Sequence, residues 1–245
     1  MIKKLLTCIL AIIIIINLLI VVSGKSWIYK AIYVTYLHGH TSSYINDFIY
    51  FPAKTIKAGI HQEWLVSKEY NNAKLPKFIK EVNENLETVA FMVIKNDSIV
   101  FEGYWHEYSA DSASNSFSMA KSWVSTLVGI AIKDEGIKNV NQKVCEFIPE
   151  FCSGKNSEIT IKHLLTMSSG LNWDEDYHDP LGQTAEAYFG NDLRGLICNL
   201  KSIETPGKIY KYHSSCTQLL AFIVEQATGK TISEYASEKL WKPMG

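Results

Sequence analysis

Apolar residues fill nearly every position from Leu5 to Val22, interrupted only by Thr7 and Asn17. A run of that length reads as a helix able to reach across most of a bilayer core. A second apolar stretch holds Met119, Trp123, Val124, Leu127, Val128, Ile130 and Ile132, and it predicts a helix buried on every side and stopped by Gly136. Between these lie a short helix at Pro76–Leu86 and two β-rich runs, Thr88–Lys95 and Ile99–Trp105, joined by an Asn96-Asp97-Ser98 turn. The first run is apolar at successive positions, which predicts a hairpin covered on both faces within a larger sheet. Further on, Thr160 caps a helix that stops at Ser168-Ser169-Gly170. Leu219, Leu220, Ile223 and Val224 mark a helix over Ser215–Ala227 ended by Thr228-Gly229, and Thr231 with Glu234 forms a capping box for a last helix to about Leu240.

These elements divide the chain into a membrane anchor or signal segment (1–25), an aromatic membrane-proximal extension (26–75) and a compact domain (76–245). Lys3 and Lys4 should stay in the cytoplasm. A cleaved signal and an uncleaved anchor both fit, and the poor cleavage site at Val21-Val22-Ser23-Gly24 favours the anchor. Either way the bulk of the chain is exported to the periplasmic or extracellular side.

Composition narrows the choice of partners. With a net charge of −1 and Arg194 as its only arginine, the chain lacks the bidentate donors that nucleic-acid or phosphate recognition uses. Of five cysteines, Cys145, Cys152, Cys198 and Cys216 fall in the exported part. They could pair as Cys145–Cys152 and Cys198–Cys216, or all remain buried thiols. His38-Gly39-His40 finds no further ligand at metal spacing, so it reads as a loop and no metal or cofactor is called for.

Candidate chemistry sits at the head of the second apolar stretch. Ser118 and Lys121 form an S-x-x-K pair on one helix face, and no other serine here has a lysine at that spacing. A neutral lysine could take the serine proton, and the free N–H groups of the first helical turn could hold a tetrahedral oxyanion. The plainer reading makes Ser118 a first-turn residue and Lys121 a snorkelling surface cation. The loop Leu171–Pro180 carries Asp174, Glu175, Asp176 and Asp179, either as a solvated loop or as a rim contacting substrate. A glycosidase pair would need carboxylates on opposite sides of a sugar, and neighbours on one loop seldom provide that.

Three stretches then combine: S-F-S-M-A-K-S at Ser116–Ser122, I-T-I-K-H-L-L-T-M-S-S-G-L at Ile159–Leu171, and P-G-K-I-Y-K-Y-H-S-S at Pro206–Ser215. Their order and spacing resemble the serine β-lactamase and penicillin-binding-protein superfamily, in the class C β-lactamase branch that includes esterases and 6-aminohexanoate-dimer hydrolases. The resemblance implies an α/β (α+β) fold, an antiparallel sheet flanked by helices with a helical subdomain. It also implies an acyl-enzyme on Ser118, with Lys121 as proton holder and Tyr212 as acid/base for the leaving group. Ser214 stands at the third position of the Y-x-[NS] motif, where it would hydrogen-bond the lysine or the substrate. Tyr177 resembles a substrate-contacting tyrosine of the aminohexanoate-dimer hydrolases.

The phrase Trp241–Gly245 resembles one that lies well before the C-terminus in relatives, so the resemblance implies missing C-terminal strands. The function expected is hydrolysis of a small amide or ester at the membrane. The alternatives are a penicillin-recognising D,D-peptidase-like protein and an inactive membrane-held remnant.

Overall fold

The computed structural model describes residues 2–245. In chain order the main elements are α1 (Ile2–Val22), α2 (Trp27–Val34), β1 (Leu65–Val66), α3 (Lys77–Asn85), β2 (Ala90–Lys95), β3 (Ser98–Tyr104), α4 (Ala120–Lys133), α5 (Ile161–Leu165), α6 (Gln183–Phe189), α7 (Leu193–Cys198), α8 (Ser214–Thr228) and α9 (Ile232–Ala236). They form two compact units. One holds the residues up to Ile56 together with Asn115–Leu240, and the other holds Lys57–Ser114 with Trp241–Gly245.

In the first unit α4 packs along α8, with α5, α7 and α9 set around α8. Leu127, Val128 and Ala131 are buried on α4, and Cys216, Leu219, Ile223 and Val224 on α8. This is one face of α4, not all of it. Met119 is 66% exposed and Trp123 39%, so the expectation of a helix buried on every side is corrected. Within its unit α4 has a long packing partner on one side, while Val124, Ile130 and Ile132 are half-buried and Trp123 is exposed. Glycine136 is not the αL stop either: α4 ends at Lys133 and Glu135 takes the left-handed turn, at φ 63°. A Cβ at Gly136 would stand 3.3 Å from the Ala227 carbonyl oxygen, so this glycine permits the close approach of the chain to the end of α8.

Of the two candidate pairs only Cys145–Cys152 is formed, while Cys198 and Cys216 are buried thiols. Burial pushes the Cys216 thiol up to about 11 and raises that of Cys198, which leaves both poor nucleophiles.

The residues expected to form one membrane-proximal extension are divided by the structure at Ile56. Trp27 and Val34 of α2 bury against Phe189 of α6, with Ala31, Phe51 and Tyr188 packed beside them. In the second unit β2 and β3 form the expected hairpin, with Asn96 and Asp97 both left-handed, as a two-residue turn of this hand requires. The sheet is mixed rather than purely antiparallel, because β1 pairs parallel with β3 in the order β1-β3-β2. As an edge strand β2 leaves Met92, Val93 and Ile94 exposed, so the covered faces expected from its apolar run are not found within the unit.

Candidate active site

Ser118 lies in the 3-10 turn Phe117–Met119 that leads into α4. Phe117 is held at φ 42°, a left-handed conformation that costs a bulky residue about 1–3 kcal/mol and must be imposed by its surroundings. The opposite wall comes from a distant segment. Gly207 N–H donates to the Ser168 carbonyl at 2.7 Å and Lys211 N–H to the Met167 carbonyl at 2.8 Å, which fixes the extended piece that carries Tyr212. A 2.7 Å ion pair between Lys211 and Glu204 braces it further.

These two segments meet at one oxygen. Lys121 Nζ donates to Ser118 Oγ at 3.0 Å and Tyr212 Oη donates to the same oxygen at 2.8 Å. Lys121 Nζ lies 5.0 Å from the centroid of the Tyr212 ring. Ser118 is exposed and Lys121 half-buried, so the pair lies at a surface rather than inside the core, as its sequence setting had suggested. That surface is the wall of a cavity of about 710 Å³, to which Tyr177, Ser214, Trp173 and Tyr188 also contribute.

A statistical model of the beta-lactamase family matches residues 75–245. The chain belongs to the beta-lactamase family. It is 29% identical over 179 residues to the 6-aminohexanoate-dimer hydrolase of Paenarthrobacter ureafaciens, a match that covers 69% of this chain and 45% of that protein. Among solved structures, a Bacillus anthracis protein described as a putative 6-aminohexanoate-dimer hydrolase superposes with a TM-score of 0.64 at 20% identity, covering 76% of this chain and 54% of that one. A penicillin-binding protein from Bacillus halodurans superposes with a TM-score of 0.50 at 19% identity, covering 66% and 53%. The fold is therefore beta-lactamase/transpeptidase-like. The chain spans about half the length of these relatives.

Within this family fold, Ser214 and Tyr177 take a partner the sequence did not single out. The Glu175 carboxylate accepts from the Ser214 backbone N–H at 2.6 Å, the Ser214 hydroxyl, Tyr177 Oη at 2.5 Å and Trp173 Nε1 at 2.5 Å. The Ser214 hydroxyl thus donates to Glu175 rather than bonding Lys121, while Ser214 remains in the cavity wall. Burial by itself would raise the Glu175 carboxyl, but the hydrogen bonds from Ser214, Tyr177 and Trp173 outweigh it and hold its pKa below the ordinary value. Burial and the bond to Glu175 push the Tyr177 phenol up to about 12. The other loop carboxylates, Asp174, Asp176 and Asp179, are exposed.

Because Glu175 ties the acidic loop to the start of α8, two residues beyond Tyr212, a Glu175→Gln variant should loosen Tyr212. The amide nitrogen then faces donors where a carboxylate accepted. We expect a lower melting temperature and a reaction of Ser118 with a fluorophosphonate slowed about tenfold or more, because misplaced reacting groups lose rate steeply. Stopped-flow labelling beside thermal melts checks both.

Acid should weaken the same region in two steps. Burial lowers the pKa of His213 and of His163 below 6.5, so the unfolded chain takes up their protons more readily. Stability from these two residues is complete above about pH 6.5 and is lost as pH falls below it. The lowered Glu175 adds stability that is present above its unfolded value of about 4.3 and is lost below it. Urea midpoints should fall from pH 7.5 to pH 5.5 and again to pH 3.5. In His213→Gln the first fall should shrink.

Proposed function

We propose that this protein is a serine hydrolase that cleaves an amide or ester through an acyl-enzyme on Ser118. The observation that carries the reading is the convergence of Lys121 Nζ and Tyr212 Oη on Ser118 Oγ, at 3.0 and 2.8 Å. Ser118 Oγ attacks the carbonyl carbon while Lys121 Nζ takes the hydroxyl proton. The oxyanion meets the N–H groups of the first helical turn, and the Tyr212 phenol gives a proton to the departing amine or alcohol. Water then releases the acid from Ser118 by the reverse proton path. Membership of the beta-lactamase family supports hydrolysis as the reaction class.

The helix α1, with mean hydropathy 3.3 in its most apolar window, holds the protein at a membrane. Lys3 and Lys4 keep its start in the cytoplasm and place the site on the periplasmic or extracellular side.

Treating the folded protein with a fluorophosphonate and mapping the adduct tests the reading. One adduct is expected, on the peptide containing Ser118. A folded protein that takes no adduct, or takes it on another serine, removes the proposal and leaves an inert or binding role.

A further inference from the structure

We propose that the substrate is a bilayer-resident amphiphile whose apolar acyl chain enters the cavity beside α2 and is cleaved from its ester or amide at Ser118. The inference rests on the hydrolase reading above and adds the class of substrate. Ala31, Thr35, Tyr36 and the stretch Thr41–Ser43 line the same cavity as Ser118 and Lys121, and all of them precede the residues matched by the family model. The segment that continues directly from the apolar helix α1 therefore forms part of the wall.

The junction between α1 and α2 is ordered. Gly24 takes φ 73°, Gly24 N–H donates to the Val21 carbonyl and Lys25 N–H to the Ile20 carbonyl, which closes the end of α1 in a Schellman turn. From there Lys25 Nζ donates to the Leu181 carbonyl at 3.2 Å, on the loop that borders the cavity. Tyr29 Oη donates to Asn17 Oδ1 at 2.6 Å. Asn17 lies five residues inside the end of α1, about 7.5 Å along its axis at 1.5 Å per residue. With α1 in a bilayer, α2 thus lies at the depth of its last turns, in the interfacial zone.

The two faces of α2 match that position. Trp27, Ala31 and Val34, at helical spacing, turn toward α6. On the other side Tyr29, Ile32 and Tyr33 are exposed, followed by Tyr36 and Leu37, with Tyr33 51% and Leu37 71% accessible. Tyrosines with aliphatic neighbours are the side chains that settle at a membrane interface. This face is continuous with α1, so its occupant is the lipid surface. Tyr36 belongs both to that face and to the cavity wall, which also holds Ala31, Tyr188, Phe189 and Phe117, so an acyl chain has apolar side chains to follow from lipid to Ser118. In the reaction the Ser118 oxygen forms a bond to the acyl carbon, the bond from that carbon to oxygen or nitrogen breaks, and the head group leaves with a proton from Tyr212.

The test uses the full chain in phosphatidylcholine vesicles and compares modification of Ser118 by ethyl- and dodecyl-phosphonofluoridate. Each forms an oxygen–phosphorus bond and releases fluoride. The dodecyl probe should react at least about tenfold faster, an advantage smaller than burial of two methylenes provides. That ratio should fall toward one in Tyr33→Asp/Leu37→Asp, whose exposed positions allow folding to be confirmed by thermal melt. Equal rates, a slower dodecyl probe, or a preference unchanged in the double variant overturns the inference and leaves the hydrolase reading standing. No reaction with either probe on a folded sample removes both.

Discussion

Ser118→Ala is expected to abolish adduct formation, and Lys121→Met to slow it by about 10³-fold, within the 10²–10⁴ range that a positioned acid or base contributes. The two variants differ in kind. Alanine removes the oxygen on which Lys121 and Tyr212 converge. Methionine keeps most of the side-chain length but leaves the serine proton without its acceptor, so slow labelling should persist and rise with pH as hydroxide replaces the amine. Tyr212→Phe separates the steps further. It should scarcely affect a fluorophosphonate or an activated ester, whose leaving groups depart unprotonated, and should slow an anilide by about 10²-fold. Equal losses on both substrate types in Tyr212→Phe would instead assign Tyr212 to activation of Ser118. Rates come from quenched-flow intact mass and anilide release.

How far the chain could be read tracks the range of the signal. The S-x-x-K spacing puts Ser118 and Lys121 in contact within one helical turn, and the hairpin turn at Asn96-Asp97 and the Thr160 cap need only neighbouring residues. Tyr212 is a contact across 94 positions, and only the Pro206-Gly207 context and the helix after it selected that residue among several tyrosines. Glu175 stayed hidden among Asp174, Asp176 and Asp179 because a carboxylate solvated on a loop and one holding a helix start have the same local sequence. A signal did exist in the neighbours, since Trp173 and Tyr177 flank Glu175 at positions from which both can donate to it. The exposure of Trp123 on α4 was illegible for another reason: an apolar pattern reports which residues can be buried, and the partners that bury them are set by the rest of the fold. The aromatic run after α1 suggested a membrane interface, yet nothing local showed that half of α2 closes on α6.

Asn156→Ala is expected to destabilise the first unit by about 2–4 kcal/mol, as much as a large core truncation. Asn156 is 3% exposed. Its Nδ2 donates to the Leu200 carbonyl at 2.8 Å and its Oδ1 accepts the Ser202 N–H at 2.7 Å, so one side chain serves two backbone groups of a strand-like return. Alanine leaves the carbonyl of buried Leu200 and the N–H of half-buried Ser202 without partners, at about 1–3 kcal/mol for each group to the extent that it is shut off from water. Water could recover part of this by entering the space left behind, which sets the lower end of the range. Asn156→Asp discriminates between lost packing and lost hydrogen bonds, because it keeps the volume and the acceptor to Ser202 but sets a second acceptor against the Leu200 carbonyl. It should be nearly as damaging as alanine, and urea midpoints close to wild type for Asn156→Asp would show that packing dominates. The damage should also reach the site. Ser202 bridges Leu171, and Lys201 N–H donates to Asn172 Oδ1 at 2.7 Å, directly before the Trp173–Tyr177 loop that holds Glu175. Acylation at Ser118 should therefore weaken in Asn156→Ala at temperatures where the protein is still folded, whereas a core truncation on α8 such as Ile223→Val should lower the melting temperature with little change in rate.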